Sequence, residues 1–231
     1  MNVSPLRNFA MATITRQQIA GLSTLVREAE NSAPDSAVIL IHGWGADGAD
    51  LMDMAPMLSE TLPGTMFLAP DGPSPCSANP MGREWFDLSG AALDDGPDEA
   101  RPALENLIAQ IEADHGVGPS RVVLAGFSQG GMMALHLGLR HEPVLAGVVS
   151  FAGALLAPER VETEAVAKPP VLLVHGRDDQ VVPFQALTIA EAMLKTHDVE
   201  VSTLPRDGLG HGIDGEGLAA ALTFMQKVLS V

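Results

Sequence analysis

Arg121-Val122-Val123-Leu124-Ala125-Gly126-Phe127-Ser128-Gln129-Gly130 is the stretch that decides the fold. Val122 to Ala125 is apolar throughout, as in a strand buried on both faces of a parallel sheet. Gln129 to Arg140 then reads as a helix. A serine between two glycines, where a buried strand gives way to a helix, sits on a sharp turn that lifts its hydroxyl clear of the sheet. A free serine hydroxyl is a poor nucleophile and needs a base within hydrogen-bond reach. The turn therefore predicts two later partners, an acid and then a histidine.

Working outward, the same alternation repeats. Leu22 to Glu28, Ala37 to Ile41, Thr65 to Ala69, Val144 to Phe151, Val171 to His175 and Val199 to Leu204 read as strands. Gly48 to Leu62, Asp98 to His115, Pro183 to Thr196 and Leu218 to Leu229 have helical spacing. Apolar strands each followed by a helix predict an α/β fold, a mostly parallel central sheet with helices on both faces. Pro70 to Pro97 breaks the pattern, being rich in proline and glycine and without periodicity. Such a loop is expected over the carboxyl edge of the sheet, where ligands bind.

The acid belongs on the loop after Val171 to Val174, where Asp178 and Asp179 compete and Asp179 is preferred. Asp214 is a weaker competitor that better fits a helix cap. Among seven histidines, His211 in Gly208-Leu209-Gly210-His211-Gly212 follows the last strand and is expected as the base. His42 and His175 end strands before glycine and read as structural. His136 lies on the helix after the serine, and His115, His141 and His197 read as surface residues near helix ends. No His-x-x-x-His pair suggests a metal. Backbone N–H donors for a developing oxyanion are expected at Gln129, after the serine, and at Trp44, on the loop after an early strand. Trp85, Phe86, Phe184 and Leu209, with Met81 and Leu155, are candidate walls of a substrate pocket.

The 231 residues include 46% hydrophobic and 18% charged, which excludes a disordered chain. Residues 31–231 are expected to form a single domain. Residues 1–30 are expected as a poorly ordered extension or an edge strand. One cysteine, Cys76, excludes an internal disulfide framework. Thirteen Lys and Arg against 29 Asp and Glu give a formal charge of −16, with no basic stripe for nucleic acid. That charge also opposes docking on anionic membranes, and no apolar run is long enough for stable membrane insertion. A cytoplasmic location is expected, and monomer and homodimer both remain open.

In this order the motifs resemble those of the phospholipase/carboxylesterase family of the α/β-hydrolase superfamily, the group that includes the acyl-protein thioesterases. The matching pieces are Ile41-His42-Gly43-Trp44-Gly45-Ala46-Asp47, Ala69-Pro70-Asp71, Trp85-Phe86-Asp87, Gly126-Phe127-Ser128-Gln129-Gly130, the His175 to Pro183 stretch and Gly210-His211. They span roughly residues 35 to 230. The resemblance implies an α/β-hydrolase fold, a Ser128-Asp179-His211 triad, and Trp44 and Gln129 as oxyanion donors. It implies a serine carboxylesterase cleaving small-molecule esters or thioesters with small to medium acyl chains through an acyl-enzyme, without cofactor or metal. Acyl-protein thioesterase or lysophospholipase is the alternative, and a non-catalytic binding protein of the same fold a distant one. The chain departs from the family pattern at Trp44, where Leu-Gly-Asp is frequent, and at the acidic Asp178.

Overall fold

The computed structural model describes residues 13–30, 33–88 and 92–230. In chain order the elements are β1 (Ile14–Ile19), β2 (Leu22–Arg27), β3 (Ser36–Ile41), α1 (Gly48–Met52), α2 (Ala55–Ser59), β4 (Thr65–Pro70), β5 (Ser74–Pro75), β6 (Arg83–Glu84) and α3 (Ala92–His115). They continue with β7 (Val122–Phe127), α4 (Gln129–Gly138), β8 (Gly147–Phe151), α5 (Val161–Glu164), β9 (Val171–Gly176), α6 (Gln185–Thr196), β10 (Val201–Arg206) and α7 (Gly215–Leu229).

Eight strands form one sheet in the order β1-β2-β4-β3-β7-β8-β9-β10. The pairings from β4 through β10 are parallel, while β1–β2 and β2–β4 are antiparallel. Alternate side chains of each central strand feed two separate cores. Ile39, Ile41, Val122 and Leu124 pack with Leu104 and Ile108 of α3, Met133 and Leu137 of α4, and Leu187 and Leu194 of α6. Val38, Leu40, Val123 and Ala125 pack with Leu51 of α1, Leu58 of α2, and Leu218 and Met225 of α7. Helices thus cover both faces, the arrangement of the α/β-hydrolases. β7 runs between β3 and β8, so its carboxyl end lies near the middle of the sheet edge.

Four sequence expectations are corrected. Gly48 to Leu62 is two short helices rather than one. Pro56, at the start of α2, has no N–H, and its ring would collide with the Met52 carbonyl of a continuous helix. Pro70 to Pro97 is not a plain loop. It carries the small β5–β6 hairpin, with Ser74 opposite Glu84, and its end already belongs to α3. α3 starts before Asp98 despite Pro97 and Pro102 within it, and Gly96 there packs so closely on Phe86 that a Cβ would lie 2.7 Å from the Phe86 Cβ. His141 is buried rather than a surface residue, its Nδ1 2.8 Å from the Pro143 carbonyl. Residues 14–27 form the antiparallel edge hairpin β1–β2, and residues 1–12 lie outside the described residues.

Candidate active site

Ser128 lies between β7 and α4 with φ 53° and ψ −116°, a backbone conformation that L-residues rarely adopt. The flanking glycines make the turn sterically feasible. A Cβ on Gly126 would fall 2.1 Å from the Gly130 carbonyl oxygen, and one on Gly130 would fall 1.8 Å from the Ile41 carbonyl oxygen. The Ser128 N–H donates to the Phe151 carbonyl at 2.8 Å, and the Ser128 carbonyl accepts from Met132 N–H at 3.0 Å, fixing the turn on both sides. The strain is thus held by the surrounding backbone and aims Oγ out of the sheet.

His211 Nε2 lies 2.9 Å from Ser128 Oγ, and His211 Nδ1 lies 2.8 Å from Asp179 Oδ2. A carboxylate only accepts, so Nδ1 carries the proton and Nε2 is free to accept from the serine hydroxyl. The Phe127 ring packs against the imidazole at 4.8 Å. Asp179 is itself held: its Oδ1 accepts from the N–H groups of Val181 at 2.8 Å and Val182 at 2.9 Å. Burial alone would raise the Asp179 carboxyl, but the His211 imidazole and these two N–H groups outweigh it and hold it below the usual carboxylate range. Asp178 is exposed and gives its N–H to the Leu209 carbonyl. Asp214 caps α7 through Gly217 N–H at 2.8 Å and binds Arg206. The remaining expected partners of the serine are therefore sorted by contact: of the three aspartates, Asp179 is the one on the imidazole.

Gln129 follows the serine directly, and Gly43, next to Trp44, lies close enough to the serine that a Cβ there would fall 3.5 Å from the Ser128 Cβ. Gln129 opens α4, whose first N–H groups have no intrahelical acceptor. The loop bearing Trp44 is fastened to β6: Gly45 N–H donates to the Arg83 carbonyl at 2.9 Å, and Arg83 N–H to the Ala46 carbonyl at 2.7 Å. The Trp44 indole donates to Glu84 Oε2 at 2.8 Å. The Gln129 side chain, 1% exposed, accepts from Trp85 N–H at 3.0 Å and donates to the Phe86 carbonyl at 2.7 Å. The Trp85 indole donates to the His42 carbonyl at 3.0 Å. One short segment, residues 83–86, thus ties the Trp44 loop to the start of α4. Sequence reading missed this brace. Its one signal was Trp85-Phe86-Asp87, read as pocket wall.

Trp85 and Phe86 are 2% and 4% exposed, and both edge a cavity bordered by Asp87, Asp95 and Glu99 rather than by Ser128 or His211. Phe184 lies against His175 and beneath the Arg177 guanidinium, 4.7 Å from its ring centre. Leu209 sits beside Gly176, where a Cβ would lie 2.2 Å from the Leu209 carbonyl oxygen. His42 and His175 take the structural roles expected of them. His42 Nδ1 donates to the Gly43 carbonyl while Nε2 accepts Gly72 N–H, and burial lowers its pKa despite the Gly43 carbonyl. His175 Nε2 donates to the Val182 carbonyl. Among the described residues, no group of three or more His, Cys, Asp or Glu is placed to hold a metal, and no helix is long and apolar enough to cross a membrane.

The model of the Phospholipase/Carboxylesterase family matches residues 24–229. Among curated proteins, the chain is similar to acyl-protein thioesterase 1 of Neurospora crassa, 32% identical over 217 residues, 84% of this chain and 87% of that one. It is also similar to acyl-protein thioesterase 1 of Gibberella zeae, 30% identical over 84% of this chain and 91% of that protein. Among solved structures, esterase PE8 superposes with a TM-score of 0.86 at 39% identity, covering 90% of this chain and 99% of that one.

Proposed function

Because this chain belongs to the phospholipase/carboxylesterase family of the α/β-hydrolase superfamily, related to the acyl-protein thioesterases, we propose that it is a serine hydrolase cleaving carboxylic esters or thioesters with small to medium acyl chains. The observation that carries this reading is the continuous line Ser128 Oγ–His211–Asp179 at 2.9 and 2.8 Å, raised on a strained turn. His211 Nε2 takes the Ser128 proton as Oγ attacks the acyl carbon. Asp179 holds the imidazole in the tautomer that can accept it. The carbonyl oxygen becomes an oxyanion stabilised by the Trp44 and Gln129 N–H groups. His211 then protonates the departing alcohol or thiol, and a water activated by the same imidazole releases the acid. The Ser128 proton leaves with the alcohol or thiol and is replaced by one from the attacking water, so the groups end the cycle as they began it and no cofactor is called for.

Ser128→Ala tests the reading. It should remain folded, lose labelling by a fluorophosphonate probe, and lose turnover on the order of 10⁴- to 10⁶-fold. Near-normal hydrolysis by the folded variant would overturn the mechanism. The names of the fungal relatives favour one specific alternative, a thioesterase acting on acylated proteins. A kcat/KM higher for an S-acyl peptide than for the matching small oxygen ester would select it.

A further inference from the structure

A cavity of about 450 Å³, within the range of small-molecule sites, is lined by Gly212, the neighbour of His211, and by Phe127, the neighbour of Ser128. Three separated stretches build it: Leu51 of α1, Met54 between the two helices and Met57 of α2; Phe127 at the end of β7; and Ile213 just before α7 with Leu218 in its first turn. Its lining includes the residues next to the reacting groups. Phe127 directly precedes Ser128 and packs on the imidazole, and Gly212, which also lines the cavity, directly follows His211.

Building on the serine-hydrolase reading above, the chemistry decides which half of an ester this cavity can receive. The proton on Nε2 goes to the departing oxygen or sulfur, so that atom must come within hydrogen-bond reach of His211. Whatever is bonded to it then extends past the imidazole. The carbonyl oxygen goes instead to the proposed donors, the Trp44 and Gln129 N–H groups. We propose that this cavity is the leaving-group subsite and that it takes an apolar, uncharged alcohol or thiol. Its lining is mainly aliphatic and aromatic, and its thioethers adapt readily to different shapes. Met57 is 57% exposed, an apolar side chain left open at the cavity edge. The carboxylates at its border are Asp50 and Asp214, and the Asp214 charge is already met by Arg206. No lysine or arginine is among its described lining residues, so an anionic leaving group finds no counter-charge there.

The test holds the acyl group constant and varies the alcohol. Acetate esters of ethanol, butanol and hexanol differ little in intrinsic reactivity, so their kcat/KM ratios report binding of the leaving group. Wild type should gain roughly two- to fourfold per methylene until the cavity ends. Met57→Glu, outside the proposed triad and oxyanion donors, should cut the hexyl-to-ethyl ratio at least about fivefold. Met57→Leu should keep the wild-type ratio. The converse series, ethyl acetate to ethyl hexanoate, should respond alike in all three proteins. An unchanged alcohol ratio in Met57→Glu, or a change confined to the acyl series, would overturn the subsite alone. Hydrolysis that persists in Ser128→Ala would instead overturn the serine-hydrolase reading, and the subsite with it.

Discussion

Asp178 and Asp179 are neighbours in the chain, yet Asp178 points its charge to solvent while Asp179 is buried against His211 and two backbone N–H groups. That difference yields a direct comparison. Asp179→Asn should cost turnover on the order of 10⁴-fold, since an amide at this position favours the wrong imidazole tautomer. Asp178→Asn should stay within about threefold, as expected of an exposed loop carboxylate. Measuring kcat for both variants checks this, and equal effects would refute the assignment of the acid. At this scale, legibility followed mechanism. Ser128 was readable because the glycine spacing of a strained turn is written in the sequence, and His211 because chain order restricts where a base can lie. The choice between the aspartates rested on no local pattern. What distinguishes Asp179 is the donation from Val181 and Val182, a product of how the loop after β9 curls.

At the scale of elements, the central strands β3, β4, β7, β8 and β9 were legible because they are largely apolar and buried on both faces, and the elbow helix because it follows one directly. β5 and β6 were not, since two-residue strands such as Ser74–Pro75 are too short for any period. The break between α1 and α2 was written at Pro56, but the apolar spacing of Leu51, Met54, Ala55 and Leu58 runs on across it. The cavity lined by Phe127 and Gly212 was illegible for a different reason: Met57, Phe127 and Ile213 come together only when three distant stretches fold. The most consequential unread element is the residue 83–86 segment, which ties the loop bearing one proposed oxyanion donor to Gln129, the other. Gln129→Leu retains the backbone N–H at that position but leaves Trp85 N–H and the Phe86 carbonyl without their buried partner. It should lower kcat roughly ten- to a hundredfold with KM within about threefold, because an oxyanion contact matters in the transition state and little in the bound substrate. Each orphaned group should also cost about 1–3 kcal/mol of stability. Steady-state kinetics with a denaturant melt separates the two effects. A rise in KM alone would place Gln129 in substrate binding instead.

For the whole molecule, two electrostatic effects oppose each other as pH falls. The formal charge of −16 repels itself, and approaching the pI near 4.6 relieves that repulsion, which favours the folded state. The buried histidines act in the opposite direction. His136 on α4 is 2% exposed; burial, and then the nearby Arg140, push its pKa down to about 4. It lies in a cluster that joins three helices: its Nε2 is 2.9 Å from Asp98 of α3, Arg160 beside α5 binds the same Asp98 at 2.6 Å, and Arg140 and Arg160 both bind Glu164. His42, buried behind the Trp44 loop, is lowered too. For a histidine whose folded pKa lies below the ordinary 6.5, the unfolded chain takes up a proton first. Stability is therefore complete above pH 6.5 and is lost as pH falls toward the folded value. For His136 the gap between 6.5 and about 4, at about 1.4 kcal/mol per pH unit, amounts to roughly 3 kcal/mol, with about 2 of it gone by pH 5. His136→Gln can still donate to Asp98 but cannot titrate, so it should lose about 2 kcal/mol less than wild type between pH 7 and pH 5. Urea unfolding of both proteins at the two pH values measures the difference directly. Because the relief of charge repulsion is common to both, it cancels in the comparison, and parallel losses would show that His136 does not carry the acid sensitivity.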